Sequence, residues 1–389
     1  MRIKTSVYNF QFVLVCLSSF LFSASFNMLL PELPSYLSSL GGAEYKGLII
    51  ALFTLTAGIS RPFSGKLTDK IGRIPVMAVG SMVCFVCGFL YPLLTSVSGF
   101  LFLRLLHGFS TGFKPTATSA YVADLVPQQK WGEAMGIHGL CFSIGMAIGP
   151  AIGSTITLFY SINMLFYCSS VFALLSILIL YNMKETLLQK QSFTWAHVKI
   201  NRSELINKQV ISVLILSVLT YISYGALVTI IPDWSSHLGL HNKGIFFMVF
   251  TISSLIIRFL AGKVSDKYGR TPVLKIALVL LSMAFVVIAL AQSAFMLLVG
   301  AVVYGMATGM FSPAISAYTI DLSDADKRGK SIATMYIGLE VGIGLGALLA
   351  GWYYQDVMLR VKYIFYAAAL VNVMALVYLM WYLNSKKSI

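Results

Sequence analysis

Arg104, His107 and Lys114 stand inside one apolar run, VSGFLFLRLLHGFSTGFKPTATSAY at 97–121, and Glu340 stands inside another, YIGLEVGIGLGALLAG at 336–351. A charge at the centre of a membrane helix costs at least about 2.5 to 3.5 kcal/mol, so few persist there without a task. Arginine cannot deprotonate and offers a fixed positive fork for a carboxylate, whereas histidine, lysine and glutamate can each exchange a proton. On a helix turning about 100° per residue His107 and Lys114 share a face, with Arg104 about 60° away and about 15 Å from Lys114 along the axis. This basic strip is expected to line a water-filled cavity, with Arg104 the foremost ligand contact. Lys114 has a second reading, its amine lifted towards the nearby end of the run, and His107 has one as a hydrogen-bonded packing residue. Desolvation favours the protonated form of Glu340, as a proton carrier needs; ligand anchor, counter-ion for Arg104 and structural pair are its other readings. Glu32, in LLPELPSY, is the reserve candidate for proton exchange, and like Asp233 it is expected at an interface. Tyr224, Tyr304 and Tyr336 are expected as aromatic walls.

The 389 residues that must position these groups are 58% hydrophobic and 11% charged, with mean hydropathy +0.83, against about 25% charged in soluble domains. A span needs about 20 apolar residues to cross roughly 30 Å of hydrocarbon. Twelve such runs are read at 11–33, 47–64, 76–95, 98–120, 134–158, 162–182, 210–232, 244–262, 274–291, 293–318, 331–353 and 360–383. Their length, and the lack of short alternating segments, predicts helices rather than a β-barrel. The first run follows Arg2 and Lys4 without a small-residue cleavage site and is expected to stay as a helix. The net charge of +14 raises nucleic acid as a partner, yet the bases follow the alternation of the loops. Arg61, Lys66, Lys70, Arg73, Lys199, Arg202, Arg258, Lys267, Arg270 and Lys327 are among those on one side; Lys46, Lys243, Arg360 and Lys362 are on the other. The positive-inside rule then places both termini in the cytoplasm, and no nucleic acid is expected. All five cysteines fall in apolar runs, and Cys84 and Cys87 have CxxC spacing without further ligands, so no metal or cofactor is expected. The chain has no HExxH, GxSxG or P-loop pattern, which argues against an enzyme.

GKLTDKIGRIPV at 65–76 and GKVSDKYGRTPV at 262–273 agree at eight of twelve positions, 197 residues apart. At that offset Arg61 falls on Arg258, Asp124 on Asp321, Tyr121 on Tyr318, Gly145 on Gly342 and Gly149 on Gly346. A chain made twice is expected, with six spans in 1–182, a cytoplasmic linker at 183–208 and six spans in 209–389. Within the linker, FTWAHVKINRSELIN has an amphipathic-helix reading beside that of a plain connector. The same offset maps Arg104, His107 and Lys114 onto Ala301, Tyr304 and Phe311, so the basic strip belongs to the first half alone. In the duplicated charged loops, Asp69 and Asp266 would gain roughly 0.3 to 1 kcal/mol beside a helix N-terminus. Arg61, Arg73, Arg258 and Arg270 can bridge to Asp124 and Asp321. Repetition of both spacing and sign favours a latch over a merely solvated loop.

Six plus six spans with the pattern G-x-x-x-D-x-x-G-R at Gly65, Asp69, Gly72 and Arg73, and again at Gly262, Asp266, Gly269 and Arg270, resemble the major facilitator superfamily over essentially the whole chain. FLRLLHGFSTG resembles its helix-four motif with an embedded arginine, here Arg104. GMAIGPAIGS resembles its helix-five motif G-x-x-x-G-P-x-x-G-G, with Ser154 in place of the last glycine. The resemblance implies an all-α membrane protein of twelve transmembrane helices in two pseudo-symmetric six-helix bundles, a latch on the cytoplasmic side, and a proton-coupled exporter of the drug:H+ antiporter type. Gly145, Gly149 and Gly153 would admit a neighbouring helix, and Pro150 would permit a hinge. Exporters of the family often carry an acid deeper in helix one, where this chain has Ser25 and Asn27. The expectation is a monomeric secondary transporter of the cytoplasmic membrane, exchanging protons for a small organic solute or drug by alternating access. The basic strip tilts the choice towards an anionic substrate. An uptake symporter or uniporter on the same fold and a lipid or lysolipid flippase are the alternatives.

Overall fold

Four helices in the computed structural model begin where a capping side chain precedes an apolar run. Asn9 accepts from the Phe12 N–H at 2.7 Å, Ser96 from Gly99 at 3.1 Å, Ser161 from Met164 at 3.1 Å and Ser293 from Met296 at 3.3 Å. Each bond satisfies one of the N–H groups that a helix start leaves open. The structure describes residues 9–127, 130–187, 189–194, 206–324 and 328–387. The basic residues Arg2, Lys4, Lys199, Arg202 and Lys327, and the linker stretch 195–205, lie outside them.

The helices of the first part are α1 (Phe10–Asn27), α2 (Leu33–Ser39), α3 (Lys46–Lys70), α4 (Arg73–Leu90), α5 (Val97–Leu125), α6 (Trp131–Phe159) and α7 (Ile162–Leu180). Those of the second are α8 (Ile211–His237), α9 (Gly244–Tyr268), α10 (Arg270–Leu290), α11 (Ala294–Asp321), α12 (Arg328–Tyr354) and α13 (Val361–Lys387). Among the described residues ten helices are long and apolar enough to cross a membrane, and a shorter apolar stretch covers Gly244–Arg258. Helix α5 has the length, 29 residues, but carries Arg104, His107, Lys114 and several hydroxyls.

Two sequence expectations change here. The first run does not continue to residue 33; α1 stops at Asn27 and α2 starts at Leu33, because Pro31 removes a backbone donor between them and Pro34 suits the first turn of α2. The duplicated charged motif is not a loop for most of its length. Nothing in GKLTDK or GKVSDK breaks a helix, so α3 runs to Lys70 and α9 to Tyr268. The chain turns at Gly72 (φ 132°) and Gly269 (φ 92°), a conformation that glycine adopts without a Cβ penalty.

Contacts divide the chain into two compact units, residues 1–30 with 56–200 and residues 31–55 with 201–389. In the first, α1 packs on α6 and α7, and α4 on α5 and α7. In the second, α8 packs on α12 and α13, and α10 on α11 and α13, which is the same scheme at the repeat offset. Small residues make these contacts. An added Cβ on Gly145 would meet Phe20 O at 2.6 Å, and one on Gly342 would meet Val218 O at 2.6 Å.

Candidate functional site

Helix α5 turns its polar residues inward. Arg104, His107 and Lys114 are 1%, 0% and 1% exposed, so the structure encloses the strip that sequence placed along an open cavity. The reason is a set of internal partners on α4, α1 and α7. Arg104 Nη1 donates to Tyr91 Oη at 3.4 Å, and the same oxygen lies 3.1 Å from His107 Nδ1. His107 Nε2 is 3.2 Å from Cys84 Sγ, which is 3.3 Å from Ser25 Oγ, and Ser25 donates to Ser169 O at 2.7 Å. A continuous hydrogen-bonded track thus crosses the interior of the first unit. The Lys114 amine does not lift towards the end of the span; it points into three serines, Ser18, Ser81 and Ser176. His138 Nε2 on α6 lies 2.9 Å from Ser19 Oγ.

The second unit fills the corresponding interior with rings. Tyr224 stacks on Tyr304 at 6.5 Å with 8° between the planes, and Tyr304 meets Phe250 and Phe285 edge-on at 5.5 Å each. Phe311, at the place of Lys114, meets Tyr221 edge-on at 6.2 Å. Glu340 is 8% exposed on α12, and Tyr336 lies one turn before it on the same face, exposed. Arg258 lies within electrostatic reach of the Tyr221 and Tyr336 phenols. Sequence offered Asp321 as its partner, but Arg258 sits eight residues before Asp266, about 12 Å up the helix at 1.5 Å per residue.

Where α3 meets α4, Arg73 does the bridging. Its Nε donates to Asp124 at 3.0 Å and its Nη1 to Asp69 at 3.1 Å and Thr68 O at 2.6 Å. The second copy repeats the geometry: Arg270 Nε donates to Asp321 at 3.2 Å, and its Nη1 reaches Asp266 and Ser265. Arg61 lies two turns earlier on α3, half-buried. The first cluster has an addition that no motif marks. Glu185, just after α7, accepts the N–H groups of Arg73 at 3.0 Å and Ile74 at 3.1 Å, capping α4. Among the described residues no side chain caps α10 in this way.

At the other end of the second unit two lysines that sequence had marked as rare outer bases are paired. Lys46, 4% exposed, donates to Asp233 at 2.6 Å and also to Asp356, with the Tyr354 ring 5.4 Å away. Lys243 donates to Glu32 at 3.2 Å and Ser35 at 2.7 Å. Glu32 and Asp233, expected at an interface, are therefore buried partners of lysines. The one available signal was the scarcity of bases on that side; which acid each would meet depends on helix packing.

Gly145, Gly149 and Gly153 all face α1, with the positions of an added Cβ falling on the backbone of Phe20, Ala24 and Met28. Pro150 sits among them inside a helix that runs unbroken from 131 to 159. Gly338, Gly342 and Gly346 do the same for α12 against α8.

With this geometry in view, the likeness to known proteins is consistent. The Major Facilitator Superfamily model matches residues 15–241 and 213–388. The multi-drug resistance efflux pump PmrA homolog of Lactococcus lactis subsp. lactis (strain IL1403) is 25% identical over 410 residues, covering 99% of this chain and 97% of that protein. Multidrug resistance protein 2 of Bacillus subtilis (strain 168) is 27% identical over 367 residues, covering 89% and 90%. In fold, the crystal structure of the human organic anion transporter MFSD10 (TETRAN) superposes with TM-score 0.72 at 20% identity over 95% of this chain and 98% of that one. The crystal structure of a D-xylose-proton symporter gives 0.75 at 15% identity over 95% and 96%. Two like-paired helical units, the twice-used Asp–Gly–Arg corner and a family match over nearly the whole length lead to one statement: the chain belongs to the Major Facilitator Superfamily and is a multi-pass membrane transporter of small molecules, not an enzyme.

Proposed function

We propose that this transporter exports small planar organic solutes, cationic or neutral, in exchange for protons by alternating access. It works as a monomer in the cytoplasmic membrane with both termini inside. The glycine stripe of α6 with Pro150 carries the export direction, since it is the motif on which the resemblance to drug exporters rests. Full-length likeness to two bacterial multidrug proteins supports the same reading. The bases of α5 are engaged inside the protein, which removes the reason for preferring an anionic cargo. Glu340 beside Tyr336, with the stacked Tyr224 and Tyr304 in the same unit, suits a flat ring and a positive charge.

In the proposed cycle, protonation of Glu340 from outside neutralises it and loosens a cationic cargo, and loss of that proton inside restores the carboxylate. The Arg73 and Arg270 clusters act as latches on the cytoplasmic side. Exposed ion pairs are worth about 0 to 1 kcal/mol each, small enough for a gate that must open every cycle. Inverted membrane vesicles with ethidium as probe test this. Accumulation driven by an acid interior is expected; accumulation driven by an acid exterior would instead make the protein a symporter. Gradient-driven accumulation that persists undiminished in Glu340→Gln would overturn the role of Glu340.

A further inference from the structure

The Lys114 amine is enclosed by hydroxyls alone. It donates to Ser18 Oγ at 2.8 Å, to Ser81 Oγ at 2.8 Å and to Ser176 Oγ, and lies 5.1 Å from the centre of the Phe22 ring. No carboxylate among the described residues pairs with it. Helix packing builds the cage. A Cβ on Gly80 would meet Lys114 N at 2.6 Å and Ser110 O at 2.9 Å, so glycine at 80 lets α4 and α5 touch and sets Ser81 beside the amine. Ser18 and Ser176 fix each other across α1 and α7: Ser18 Oγ donates to Ser176 O at 2.9 Å, and Ser176 Oγ donates to Ser18 O at 2.8 Å. With both hydrogens committed to carbonyls, these two hydroxyls present lone pairs to Lys114. Ser81 has Lys114 as its one hydrogen-bond partner among the described residues, and its hydroxyl hydrogen is free to rotate.

An ammonium has three donors and no acceptor, while an amine has two donors and one lone pair. The cage satisfies both. Ser18 and Ser176 accept in either state, and Ser81 accepts from the ammonium or donates to the amine. A site for a permanent cation would be expected to hold a carboxylate, because an unpaired buried charge is costly; here no negative charge fixes the proton in place. We infer that Lys114 in its serine cage is a second proton-exchanging site of the carrier, distinct from Glu340, taking up and releasing one proton in each transport cycle. This inference rests on the proton-coupled reading above. On release, the ammonium gives a proton to a water molecule admitted to the cage and keeps the electron pair of the broken N–H bond. The Ser81 hydroxyl then turns to donate to that pair, and uptake reverses both movements.

The titratable neighbours are known from each packed helix. On α5 itself they are Arg104 and His107; on α4, Cys84, whose thiol feels the Lys114 charge, with Tyr91 and Cys87 beyond it. On α6 they are His138, which lies 2.9 Å from Ser19, and Cys141, packed against the cluster that holds Cys16 of α1. Helix α7 contributes Ser176. None of these is an acid that could hold the proton on Lys114 as a permanent counter-ion.

Protein labelled with 15N-lysine, full length in lipid nanodiscs, provides the direct test. The Lys114 Nζ resonance is identified by its loss in Lys114→Arg. If that variant does not fold, Ser81→Ala identifies it, since it perturbs the cage and keeps the lysine. The expected result is conversion of this resonance from ammonium to amine within the pH range over which the protein stays folded. A resonance that remains that of an ammonium throughout overturns the inference. In proteoliposomes the number of protons exchanged per ethidium is expected to fall by one in Lys114→Arg, and an unchanged number overturns the coupling role. Should wild-type vesicles move no ethidium in response to a pH gradient, the export reading fails, while the resonance still decides whether Lys114 exchanges a proton.

Discussion

Helix α5 of the first unit carries Arg104, His107 and Lys114 into a lattice of serines, a tyrosine and a cysteine, whereas α11 of the second has Ala301, Tyr304 and Phe311 at the same places, packed among rings. The helices around them pair in the same order in both units. Pairing is therefore set by the small residues at the contacts, Gly145 and Gly149 of α6 against α1 and Gly342 and Gly346 of α12 against α8, and not by what fills the interior. An interior released from that duty can specialise. One unit is filled by a hydrogen-bonded set of bases, serines and a cysteine; the other has flat aromatic faces, with Glu340 buried on α12.

The largest effect is expected where the second unit does contain buried charge. Lys46→Met leaves Asp233 buried without its lysine, and loss of one partner of a buried pair costs about 3 to 5 kcal/mol. A lowered Tm in detergent is expected, with much of it regained in Lys46→Met/Asp233→Leu; a neutral single variant would mean the pair contributes nothing. Next come Gly145→Val and Gly346→Val, which push a side chain into the backbone of α1 and α8 and cost about 1 to 3 kcal/mol each by overpacking. Similar losses of Tm in the two would sustain the shared packing scheme, and a loss in one alone would break it. Glu185→Ala removes the cap of α4, worth about 0.5 to 2 kcal/mol. Faster amide exchange is expected at Arg73 and Ile74, with no change at the start of α10, which no side chain among the described residues caps. Smallest are Arg73→Ala and Arg270→Ala, each breaking partly exposed pairs worth about 0 to 1 kcal/mol in stability. Equal, slight shifts of Tm are expected, and a large shift in either would show that one copy carries a structural load the other does not.

Much of the fold was legible because its signals are local and long. Apolar runs, the 197-residue repeat and the glycine stripe of α6 can each be counted along the chain. The corner at Asp69 and Arg73 was legible as chemistry but not as conformation, since no residue before Gly72 tells a helix to stop. The site was less legible. Serines at 18, 81 and 176 lie on three different helices and look alike to every other serine in an apolar run. Glu185 belongs to no pattern, and its role exists only because α7 ends beside the first turn of α4.

From the sequence alone came the membrane helices, their duplication, the family and the residues too costly to be idle: hydrophobic length and the expense of burying charge leave a record in residue types themselves. The tertiary structure decided who meets whom. It turned Arg104, His107 and Lys114 away from open space and into partners, and gave Lys46 its aspartates. The reason is physical: a hydrogen bond or ion pair acts over about 3 Å, and distances of that size between different helices are fixed by how their surfaces interlock, which no single stretch of chain contains.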